Sequence, residues 1–228
     1  MSEKEIIKKL KSLANPKNVA GMARFGIMPK AKVLGVPMPA LRKIAKEIGK
    51  NHVLAPRLWQ SGIHEAKILA SMIEELDKVD SAQMDKWVAD FDSWDVCDQV
   101  CLNLFFNHPL ALKKCAQWSK NKEEFVRRAG FALMAVVAFK NKQVKNNDFI
   151  KFFPLIKKYA TDERNYVRKA VNWALRQIGK RNLVLNKTAI ACAEEIRKID
   201  NKAACWIAAD ALRELKGEAV SSRLKNKN

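Results

Sequence analysis

Apolar residues along this chain recur every three or four positions. In MSEKEIIKKLKSLA, Ile6, Leu10 and Leu13 line one side of an amphipathic helix. Leu41, Ile44 and Ala45 repeat the pattern in VPMPALRKIAKEIGK, where Pro37 or Pro39 marks the helix start. The same period runs through HEAKILASMIEEL, AQMDKWVADF, WDVCDQVCLNLFF, EEFVRRAGFALMAVVAF and NDFIKFFPLIKKYA. It continues through ERNYVRKAVNWALRQIG, LNKTAIACAEEIRKI and NKAACWIAADALREL. No stretch alternates apolar and polar residues for long enough to predict a sheet. The pattern predicts an all-α chain.

Two of these helices share a motif. FVRRAGFAL begins at Phe125 and YVRKAVNWAL at Tyr166, 41 residues on, and both read aromatic-Val-Arg-basic-Ala. KAACWIAADAL from Lys202 is a looser copy, and HEAKILASMIEEL from His64 has the same small-apolar character. Helix pairs repeated every ~35–45 residues mark HEAT-like or armadillo-like arrays. One pair cannot cover its own apolar face, so successive pairs stack. The predicted architecture is a single domain, 1–228, of stacked antiparallel helix pairs: an ARM-like α-solenoid whose inner helices line a concave basic groove. N-terminal helices are expected over about 1–50 and the repeats over about 51–216. NKQVKNNDF, from Asn141 to Phe149, reads as an inter-repeat loop, and 217–228 as a frayed tail.

Composition supports this picture. The chain is 48% hydrophobic, enough for a core, and has only 8 Gly and 7 Pro, whereas short-stranded folds need frequent turn residues. Its 43 Lys and Arg against 24 Asp and Glu give a net charge of +19. A field of that size favours a polyanionic partner, nucleic acid above all, over a merely solvated Lys-rich surface. Cys97, Cys101, Cys115, Cys192 and Cys205 form no CxxC, and Cys97 and Cys101 sit one turn apart among apolar residues. They read as free thiols in a reducing compartment. His52, His64 and His108 make no ligand spacing with them, so no zinc site is expected. No signal-peptide core and no apolar run of about 18 residues occurs, so a cytoplasmic protein without membrane contact is expected.

Against this basic background, FDSWDVCDQV, Phe91–Val100, carries three acids. Asp92 or Ser93 can cap a helix running from Trp94 to Phe106. On a helical wheel Val96, Cys97, Val100, Cys101 and Leu104 form one apolar stripe. Trp94 and Asp98 fall together at its edge, while Asp95 and Gln99 point further round, toward solvent. Asp95 suits the helix N-terminus electrostatically. Asp98 either pairs with a basic residue of a neighbouring repeat or borders a groove, and Trp94 is either packing or function. VRRAG places Arg127 and Arg128 at the start of an apolar helix, where arginines can hold phosphates bidentately. NYVRKAVNWALRQ adds Arg168, Lys169, Trp173 and Arg176; Trp173 either fills a gap between layers or joins a basic-aromatic nucleic-acid surface.

SWDVCD (Ser93–Asp98), FVRRAG and YVRKAVNWALR, together with LGVPMPALRKIAK (Leu34–Lys46), resemble the DNA alkylation repair family, the AlkD-like HEAT-repeat DNA glycosylases. The resemblance runs from Met22 to Arg176. It implies that the groove tryptophan and catalytic aspartate fall on Trp94 and Asp98, the groove arginine on Arg128 and a second tryptophan on Trp173. Arg127, Arg168, Lys169 and Arg176 are further phosphate candidates. One departure is Phe25, where the family pattern carries Tyr. The resemblance implies a monofunctional glycosylase for N3- or N7-alkylpurines in double-stranded DNA, working without a deep base pocket and with no metal or organic cofactor. A monomer is expected, since a groove that wraps duplex needs no second copy. A non-catalytic HEAT-repeat DNA- or RNA-binding protein is the alternative. A protein-interaction scaffold is disfavoured by the charge.

Overall fold

The computed structural model describes residues 1–226, and its regular structure is helical; no strand is formed among the described residues, apart from an isolated bridge between Lys32 and Ile63. The chain divides into two compact units, 1–108 and 109–228.

The first unit contains α1 (Glu3–Ser12), α2 (Pro16–Arg24), α3 (Met38–Ile48), α4 (Leu54–Gln60), α5 (His64–Ile73), α6 (Ser81–Ala89) and α7 (Trp94–Asn103). Local chemistry starts several of them. Ser2 and Glu5 form a capping box on α1. Asn15 caps α2, with Pro16 in the first turn. At α3 Pro37 is the N-cap residue, giving the predicted start. α5 is the centre of this unit and packs on α3, α4 and α7. It is buried almost all round, from His64 to Ile73. Such a helix can hold polar groups only where partners await them. Glu65, 1% exposed, finds them in the backbone N–H groups of Leu34 (3.0 Å), Gly35 (2.5 Å) and Val36 (3.3 Å). Trp59 and Trp87 stack at 4.1 Å between ring centres and close the other side of the core.

The second unit contains α8 (Ala111–Trp118), α9 (Glu124–Lys140), α10 (Asn146–Ile150), α11 (Phe153–Lys158), α12 (Asn165–Gly179), α13 (Leu183–Arg197), α14 (Lys202–Leu215) and α15 (Glu218–Lys225). α9 is buried continuously from Ala129 to Ala138 and packs on α8 and α12. α12 in turn packs on α13 and α14. The contact of α8 with α9 is made possible by Gly130: a Cβ there would lie 2.8 Å from Ser119 Cα and 2.9 Å from Trp118 C.

The structure departs from expectation in several places. α2, α4, α8 and α15 are additional helices. The segment NDFIKFFPLIKKYA is two helices, not one, because Pro154 cannot sit in a helix interior and instead occupies the first turn of α11. α10 takes up part of the expected 141–149 loop. α7 ends at Asn103 and is followed by a 3-10 turn, Phe105–Asn107. The expected frayed tail is helical over Glu218–Lys225 because Val220 and Leu224 are buried; 227–228 lie outside the described residues.

Candidate DNA-repair site

The start of α7 is fixed from two sides. Ser93 is its N-cap residue, yet its hydroxyl makes no cap bond and donates instead to Asp95. Asp95 also accepts from His64 Nε2 at 2.7 Å. His64 belongs to the first turn of α5 and is fully buried. Burial alone would raise the Asp95 carboxyl. The hydrogen bonds from His64, Ser93 and the Val96 backbone, with the His64 charge interaction, outweigh it and hold Asp95 below the ordinary carboxylate range. Asp95 therefore does not face solvent, as the wheel suggested; it fastens α7 to α5. Asp92 does not cap either. It accepts the Lys30 backbone N–H at 2.7 Å.

That bond docks the loop after α2 beside α7. A second bond does the same: Trp94 Nε1 donates to the Phe25 carbonyl at 3.0 Å. The loop is held further along by Lys32, whose N–H donates to Gly62 O and whose carbonyl accepts the His64 N–H. Glu65 secures its far end, as described above. The loop thus carries Phe25, 76% exposed, beside a fixed Trp94, and Met28, 74% exposed, three residues further on. Trp94 and Asp98 are both half-buried and stand one helical turn apart, at the margin of the buried stripe Val96, Cys97, Val100 and Cys101. The helical geometry expected for this pair is present. The contribution of His64 was not legible: no local spacing links a histidine to an acid 31 residues later.

In the second unit the arginines differ in their commitments. Arg128 is only 5% exposed and donates to the Tyr166 carbonyl at 2.8 Å. Arg127 donates to Asn121 O (2.7 Å) and Asp162 (2.6 Å), and its guanidinium lies 4.5 Å over the Tyr159 ring. Arg176 pairs with Glu214 at 2.8 Å and Asp210 at 3.3 Å on α14. These contacts engage the Arg127 and Arg176 guanidinium groups within this unit. Lys169 is exposed. Arg168 lies over the Trp206 ring, 4.8 Å from its centre. Trp173 is half-buried and packs near Phe139, with ring centres 6.4 Å apart.

Four of the five thiols are buried; Cys205 is exposed. Among the described residues no group of three or more His, Cys, Asp or Glu side chains could hold a metal ion. No helix of the described residues is long and apolar enough to cross a membrane.

Comparison with known proteins agrees with the fold. One solved structure, reported as "a new family of proteins related to the HEAT-like repeat DNA glycosylases with affinity for branched DNA structures", matches 94% of this chain and 96% of its own. The TM-score is 0.79 at 20% sequence identity, a likeness of fold. No curated protein matches. The family model described as DNA alkylation repair enzyme matches residues 6–215, through both units. The chain belongs to the DNA alkylation repair enzyme family.

Proposed function

We propose that this protein is a DNA glycosylase hydrolysing the N-glycosidic bond of cationic N3- or N7-alkylated purines in duplex DNA. The observation that carries the reading is the placement of Trp94 and Asp98 one turn apart at the edge of α7, on a helix start fastened by Asp95 and His64. Alkylation leaves the purine positively charged. When the C1′–N bond breaks, its electron pair neutralises the base, and the positive charge passes to the sugar. The leaving group needs no proton, so one carboxylate suffices where glycoside hydrolysis generally uses two. Asp98 is assigned that work: it stabilises the oxocarbenium-like sugar and accepts a hydrogen bond from the water that attacks C1′. Trp94 offers an electron-rich face worth roughly 0.5–2 kcal/mol to a cation. The Phe25 carbonyl keeps its ring from turning.

Arg128 and Trp173 receive roles as DNA contacts from the family resemblance, and Lys169 is the better phosphate candidate on exposure. Arg127 and Arg176 are assigned to holding helices together. The ligand is duplex DNA carrying the lesion, bound by a monomer.

The test is release of free N7-methylguanine or N3-methyladenine from methylated duplex. Wild type should exceed the spontaneous rate, and Asp98→Asn should lose about 10²–10³ of the acceleration. Equal rates for the two proteins would refute the assignment of Asp98. A second reading, binding of branched DNA without chemistry, is favoured by the description of the structural neighbour. It predicts tight binding of four-way junctions and no base release on either lesion.

A further inference from the structure

We infer that Trp206, on α14, is a stacking platform for an unpaired nucleotide of DNA. The inference rests on DNA being the ligand, but not on base release. Large apolar side chains at the surface of the second unit are few, and Trp206 is one, 39% exposed. It is not a stray core residue. The helices of this unit are in register: Ala170, Ala174 and Ile178, buried on α12, correspond to Ile207, Ala211 and Leu215, buried on α14, 37 positions later. In the same register Trp206 corresponds to Lys169. By the shared aromatic-Val-Arg-basic-Ala motif, Lys169 corresponds to Arg128 on α9. A position that is basic on two helices is thus aromatic on the third.

The surroundings are cationic. Arg168 reaches from α12 and lies over the Trp206 ring at 4.8 Å. The Arg168 Nε is buried without a hydrogen-bond partner, so its charge is not satisfied from that side. Lys169 and Lys202 are exposed and form no ion pair among the described residues. The nearest acid on α14, Asp210, is engaged by Asn172, Arg176 and Arg213. Arg168, Lys169 and Lys202 thus outnumber the two acids at the start of α14, Asp200 and Glu163, around an exposed indole. The residue one turn on, Ala209, is small and leaves the ring uncovered from that direction. Arg–Trp stacking next to free ammonium groups fits a nucleotide whose base joins the stack and whose phosphate meets the lysines. Bases in a duplex have their faces covered by neighbours, so the occupant is an unpaired nucleotide, as in an overhang, gap or branch.

The test compares a blunt 20-base-pair duplex with the same duplex carrying a ten-nucleotide single-stranded extension. Wild type should bind the extended DNA more tightly. Trp206→Ala should weaken that complex by about 5- to 150-fold, the range for loss of one stacked base. Trp206→Phe should recover most of the loss, and blunt-duplex affinity should change less than about twofold. Equal weakening on both DNAs would overturn the proposal, since Trp206 would then serve only to hold Arg168. No weakening on the extended DNA would also overturn it. Base release from methylated blunt duplex, measured on the same variants, reports separately: its absence in wild type defeats the glycosylase reading and leaves the stacking result to stand or fall alone.

Discussion

Two glycine-to-alanine substitutions should move stability in opposite directions, and the reason is geometric. Alanine is preferred over glycine in a helix interior by about 1 kcal/mol, a difference of backbone freedom that applies at both sites. At Gly21, inside α2, a Cβ would meet nothing within 4 Å. Gly21→Ala should therefore stabilise, by up to about 1 kcal/mol. At Gly130, inside α9, a Cβ would lie 2.8 Å from Ser119 Cα and 2.9 Å from Trp118 C, and nearer still to Ser119 N. These are backbone atoms at the end of α8 and cannot swing aside. Restoring ordinary carbon contact near 3.5 Å moves α8 away from α9 by about 0.7 Å, and a gap of that size forfeits a quarter to a half of each dispersion contact across the interface. Overpacking of this kind costs roughly 1–3 kcal/mol, and the clash is with rigid groups, so the upper part of the range applies. After subtracting the helix gain, the net loss is about 2 kcal/mol, or about 4–8 °C in Tm for a protein of this size. Thermal melts followed by far-ultraviolet circular dichroism measure both. If Gly130→Ala melts at or above wild type, the close approach of α8 and α9 is not as described.

Further outcomes are expected. Asp95→Asn removes the carboxylate charge and leaves one acceptor oxygen where His64 and Ser93 each use their own, so one donor is left unsatisfied at a cost of about 1–3 kcal/mol in chemical denaturation. Asp95 and Asp162 both have carboxyls held below the ordinary range: burial opposes this, and His64 in one case and Arg164 with Arg127 in the other overcome it. Their folded pKa values lie below the unfolded ones, so their stabilisation is present above about pH 4 and is lost as pH falls through the folded values. Asp95→Asn should accordingly flatten stability against pH on the acid side; an unchanged profile would contradict the pairing. Affinity for unmodified duplex should fall steeply with salt, with log K against log salt shallower by about 0.9 for each phosphate contact removed. Lys169→Ala should reduce that slope, whereas Arg127→Ala should lower Tm and leave it unchanged.

Much of the fold was legible because helical burial imprints itself on sequence. The stripe Val96, Cys97, Val100 and Cys101 is buried as its spacing implies, and the 125 and 166 motifs do start packed neighbours, with Phe125 and Tyr166 rings 5.3 Å apart. Short helices were harder. α4 has only seven residues and α8 eight, too few for a period to stand out, while α2 buries no residue fully and so shows no apolar stripe. At the candidate site, a wheel gives the angle of a side chain but not what faces it. It placed Trp94 and Asp98 together. It misplaced Asp95, because the partner His64 comes from another helix. Charge fails similarly: Arg127 and Lys169 look alike in sequence, but one is engaged by Asp162 and Tyr159 and the other is open.

The cysteines, set aside as core, have a practical consequence. Burial raises the Cys115 thiol far above its usual range and pushes Cys192 up to about 12, so neither supplies thiolate near neutral pH. Cys97 and Cys101 are buried as well. Cys205 alone among the five is exposed, and it immediately precedes Trp206. The natural chain therefore carries its own single attachment point for a fluorophore or spin label, beside the surface where an incoming strand would change the signal.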